Sequence, residues 1–62
     1  MTTLEVLTAL KTDVRAYGTK MLNEAEHATA IGSDELHFAA VTAAGVAELF
    51  MRMIDRHARK IS

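Results

Sequence analysis

The chain has 62 residues, with eight acidic side chains against seven basic ones for a formal net charge of −1, and it contains neither cysteine nor proline. One core of this size contributes only about 3–5 kcal/mol; without cysteine, disulfides, thiolate metal sites and thiol nucleophiles are excluded, and oligomerisation remains as the staple. The near-zero charge excludes bulk attraction to nucleic acid or an anionic membrane, and a composition that is 50% apolar excludes a disordered chain.

The N-terminal run Met1-Thr2-Thr3-Leu4-Glu5 lacks the basic and unbroken apolar segments of a secretory signal, so a cytoplasmic protein is expected. Thr2 and Glu5 have the spacing of a capping box, in which each side chain satisfies a free backbone donor, and they start a helix over about residues 3–30. Leu7, Leu10, Val14, Tyr17, Met21, Ala25 and Ala28 alternate steps of three and four, which sets them on one stripe. Lys11, Arg15, Thr19, Asn23 and Glu26 are expected on or toward the other side.

A tight turn over about residues 31–33 follows, because Gly32 can close one helix in the left-handed conformation and Ser33 can cap the next, with Asp34 and Glu35 favouring its N-terminal dipole. The second helix is expected over about residues 34–60. Leu36, Ala40, Ala43, Ala47, Phe50 and Ile54 form its dimer or core seam, continued by His57 and Ile61. Beside that seam Phe38, Val46, Leu49 and Met53 widen the apolar surface to roughly 200° of the circumference, twice the stripe of about 100° that one partner helix covers.

The excess predicts an all-α protein, a single domain spanning residues 1–62, built as an antiparallel two-helix hairpin that dimerises into a four-helix bundle. The small residues Ala39, Ala40, Ala43, Ala44, Gly45 and Ala47 would admit a neighbouring backbone closely. Gly18 and Gly45, at similar distances from the turn, are expected to share one close approach. The stretch from Leu36 to Ile54 is of nearly membrane-spanning length, but His37, Glu48 and Arg52 interrupt it, so no membrane partner is expected.

Motifs for chemistry are sparse. Glu24-Ala25-Glu26-His27 has the Glu-x-x-His spacing of di-iron bundles, yet the second helix offers only Asp34 and Glu35 nearby, at the turn, so no metal or cofactor is expected. His27 and His37 flank the turn while His57 lies at the far end of the hairpin, so the three do not converge within one chain. No nucleophile elbow, phosphate loop or dinucleotide fingerprint is present, and the expectation is a non-enzymatic protein.

Two surfaces remain. Arg52, Arg56 and Arg59, with Lys60 alongside, form a ridge that can grip phosphates or an acidic groove, or can simply complement the helix C-terminus and pair with Glu48 and Asp55. Val41, Leu49 and Met53 form an apolar candidate, with Val46 and Met51 beside them. The function expected is that of a small regulator or inhibitor that forms a homodimer and binds another protein through these helix faces. The alternative is a dimeric RNA-binding protein that uses the arginine ridge. In length, turn position and alanine-rich seam the outline resembles the small plasmid-encoded RNA-binding hairpins that dimerise into four-helix bundles; the resemblance implies architecture and carries over no binding residue, because no motif matches.

Overall fold

A computed structural model describes residues 1–61. The chain forms two α-helices of 28 residues each, α1 (Thr3–Ala30) and α2 (Asp34–Ile61), packed antiparallel against each other. Its extents are 45 × 17 × 10 Å, so the hairpin is a single layer of two helices with two open faces.

Local chemistry fixes the ends. The Thr2 hydroxyl accepts from the Glu5 amide at 3.1 Å and the Glu5 carboxylate accepts from the Thr2 amide at 3.4 Å, which completes the capping box. At the other end of α1, Gly32 takes φ +75, the Ser33 amide donates to the Ala28 carbonyl at 2.9 Å, and the Gly32 amide donates to the Thr29 carbonyl at 3.1 Å. These two bonds make a Schellman motif, whose left-handed residue favours glycine. Ser33 then caps α2: its carbonyl accepts from the His37 amide at 3.1 Å and its hydroxyl from the Leu36 amide at 3.4 Å.

The contact between the helices is made by small side chains. Gly18, Ala25 and Ala28 of α1 and Ala40, Ala47 and Ile54 of α2 are buried, while Leu7, Lys11, Val14, Met21, Ala43, Ala44, Met51 and Ala58 are half-buried around them. A Cβ built on Gly18 would lie 3.3 Å from the Ala47 Cβ, so this glycine lets the two backbones approach. Gly45 does not share that approach, contrary to the sequence expectation. Nothing lies within 4 Å of a Cβ built on it, because it sits on the outer side of α2.

Two further expectations for α1 are corrected. Lys11 is not on the far side: it lies between the helices and its Nζ meets the Asp55 carboxylate at 2.7 Å. Leu10 and Tyr17 lie beside the contact and are 41% and 50% exposed. The α1 positions that meet α2 run 7, 11, 14, 18, 21, 25 and 28, which is a heptad pattern with one lysine and one glycine in it.

Candidate functional site

The same rotation appears on α2. Ala40, Ala47 and Ile54 of the expected seam are buried and Ala43 is half-buried, whereas Leu36 and Phe50 remain 57% and 49% exposed, and His57 and Ile61 are exposed as well. At 100° per residue, Leu36, Ala43, Val46, Phe50 and Met53 are turned by roughly 40–140° from the line that faces α1. The apolar side of α2 therefore points past α1 toward one face of the layer. Leu10, Val14, Tyr17 and Met21 of α1 reach the same face, the front face of the hairpin.

Two shallow grooves run along it. One, of about 420 Å³, is lined by Leu10, Val14, Tyr17, Val46, Ala47 and Phe50, with Asp13 at its rim. The other, of about 330 Å³, is lined by Tyr17, Met21, Ala28, Leu36, Ala39, Ala40 and Ala43, with Glu24 at its rim. Tyr17 belongs to both, so the front face is one continuous apolar trough along the hairpin.

The total accessible surface measures the consequence. The hairpin exposes 4780 Å² at a mass of 6.8 kDa. A compact monomer of that mass exposes roughly 3,950 Å². The excess of about 800 Å² equals what one partner buries in an interface of standard size.

The reverse face mixes polar side chains with the exposed apolar Leu22 and Val41. Arg15, Thr19, Leu22, Glu48 and Met51 line one part of it, and Leu22, Glu26, Thr29, His37 and Val41 another. Arg52 pairs with Glu48 one turn away at 3.2 Å, an exposed pair of the kind that contributes little to stability. The Asp55 carboxyl is held below its ordinary value of 3.8, first by the hydrogen bond from Lys11, which outweighs the opposing effect of desolvation, and further by the charges of Lys11, Arg59 and Arg15.

Near the turn the His37 Nδ1 lies 3.1 Å from the Ala25 carbonyl oxygen and 2.9 Å from the Thr29 hydroxyl, which itself donates to Ala25 at 3.1 Å. With its proton on Nδ1, the imidazole donates across the helices and ties the first turn of α2 to the last two turns of α1. No spacing in the sequence announces this contact, since it depends on how the two helices are rotated.

The residues expected to bind a partner do not form one patch. Met53 lies at the edge of the front face, Leu49 on the outer side of α2, and Val41 in the reverse-face groove. Arg52, Arg56 and Arg59 are brought together on the outer and reverse flank, where Glu48 and Asp55 interleave with them. Glu24 and His27 are both exposed, and no group of three or more His, Asp or Glu side chains gathers into a metal-binding cluster among the described residues. By length and composition α2 is apolar enough to cross a membrane, and it carries the charged residues Asp34, Glu35, Glu48, Arg52, Asp55, Arg56, Arg59 and Lys60.

No family model matches the chain, and neither the curated proteins nor the solved structures contain a match.

Proposed function

We propose that this chain is a small non-enzymatic interaction protein: a hairpin that closes its front face against a second copy, as a four-helix bundle, and presents its remaining helix surfaces to another protein as a regulator or inhibitor in the cytoplasm. The observation that carries this reading is the trough through Leu10, Tyr17, Leu36 and Phe50, an apolar face that one layer of two helices leaves in water. Among the described residues no side chain larger than isoleucine is buried in the hairpin, so most of its apolar content finds shelter only in an assembly.

In such a bundle the seam Leu36, Ala40, Ala43, Ala47, Phe50 and Ile54 points between the neighbouring helix of its own chain and the facing chain, as bundle core positions do. The outer side of α2 stays in water and displays Phe38 and Leu49 between Thr42 and Arg56; this is where a protein partner binds. The arginine ridge favours a protein over RNA, because Glu48 and Asp55 within it offset much of its charge. An α2 with Glu48, Arg52, Asp55 and Arg56 along it suits an amphipathic helix in water better than a span in lipid.

Sedimentation equilibrium tests the first half. The wild type is expected to sediment at twice the mass of 6.8 kDa, and Phe50→Asp, which puts a carboxylate in the trough, as a monomer. A pull-down with and without nuclease tests the second. One stoichiometric protein that survives nuclease and is lost with Leu49→Asp is expected, whereas recovery of nucleic acid alone, lost with Arg52, Arg56 and Arg59 neutralised, would replace this reading with the RNA one.

A further inference from the structure

Given the self-association proposed above, on which this step rests, two arrangements bring front face onto front face. With the turns at the same end, α1 lies over the second copy's α2. With the turns at opposite ends, each helix lies antiparallel over its own copy. We infer that a second copy of this chain binds in the second way, about a two-fold axis that crosses the hairpin at mid-height.

The position of the axis follows from the helices. The midpoint of α1 falls between Ala16 and Tyr17 and that of α2 between Ala47 and Glu48. The contacts of Gly18 with Ala47 and of Lys11 with Asp55 put these midpoints at nearly the same height. One axis can therefore pass through both, with Tyr17 beside it on the front face.

Side-chain size fits that axis. On the front of α2, Leu36 stands beside the turn; beyond it Ala39 and Ala43 are the small side chains of the half near the turn, and Phe50, Met53 and His57 the large ones of the half near the C-terminus. Reversal about mid-helix brings Ala39, Ala43 and Val46 to within one residue of the height of His57, Met53 and Phe50 of the second copy, so these three large side chains meet smaller ones.

Charge fits it too. Asp13 and Lys20 are seven residues apart, which puts them on the same edge of α1, and they lie symmetrically about its midpoint. Glu35 and Lys60 stand in the same relation on α2. In the reversed arrangement each acid meets a lysine of the second copy, giving four ion pairs by symmetry. With the turns at the same end, Asp13 faces Met53 and Lys20 faces Val46, so these two charges find no partner. The excess surface of about 800 Å² is the area that such a face-to-face contact needs from each copy.

The chain has no cysteine, so introduced ones report the arrangement directly. Under mild oxidation Tyr17→Cys is expected to cross-link almost completely to its own copy, and the double variant Glu35→Cys/Lys60→Cys to form a dimer joined at both ends. The pair Asp13→Cys/Met53→Cys is expected not to cross-link. Without cysteines, Asp13→Lys weakens the dimer roughly three- to tenfold and adding Lys20→Asp restores it. A dimer by sedimentation in which Asp13→Cys/Met53→Cys links and Tyr17→Cys does not overturns the arrangement and leaves self-association standing. A wild type that sediments as a monomer at high micromolar concentration overturns both.

Discussion

Gly18, Gly32 and Gly45 sit in three different environments, and alanine tells them apart. Gly45 has open space where a Cβ would go and an ordinary helical backbone, so Gly45→Ala is expected to stabilise the fold by about 0.5–1 kcal/mol, raising the melting temperature by roughly 2–8 °C. Gly32 has equal space but φ +75, and Gly32→Ala is expected to cost about 1–2 kcal/mol. Thermal melts followed by circular dichroism give both signs in one experiment. Asp55 makes a separate prediction. Its carboxyl is depressed by Lys11, so the stability it contributes is complete above the unfolded value of about 3.9 and disappears as pH falls through the lower folded value. Denaturant midpoints of wild type and Asp55→Asn are therefore expected to differ at pH 7 and to converge toward pH 2.

At the scale of the helix, the spacing between α1 and α2 is set by Gly18, Ala25, Ala28, Ala40 and Ala47. Small residues bring backbones close, but they bury little apolar area, and the large side chains Leu10, Tyr17, Leu36 and Phe50 are left beside the contact. Ala47→Leu would force an isobutyl group against Gly18, and urea titration is expected to show a loss of about 1–3 kcal/mol. The caps and the turn could be read from the sequence because their causes are local: Thr2 with Glu5, Gly32, and Ser33 with Leu36 are each within four residues of their partners. The rotation of the helices could not. Periodicity reports where a helix is apolar, and for α2 that direction lies between its own partner helix and the open face. Gly18 carries no hydrophobic signal and Lys11 carries the wrong one, since its partner Asp55 is 44 residues away, so the heptad that joins the helices was hidden in α1. The arginine ridge was visible as a spacing, and the Glu48 and Asp55 carboxylates that offset it were visible beside it. The dispersal of Val41, Leu49 and Met53 over three sides of α2 needed the fold.

For the whole molecule, one layer of two helices is too thin to enclose a core, and 4780 Å² of surface on a chain of 6.8 kDa is the quantitative form of that statement. In the proposed assembly a second chain supplies the missing layer on the front face. An assembly that folds by association gains stability with concentration by mass action, whereas an isolated hairpin does not. The direct test is the thermal midpoint of the wild type over a hundredfold range of protein concentration, followed at a helical wavelength. The midpoint is expected to climb steadily with concentration; a midpoint that stays constant across the range means that the hairpin folds without a second chain.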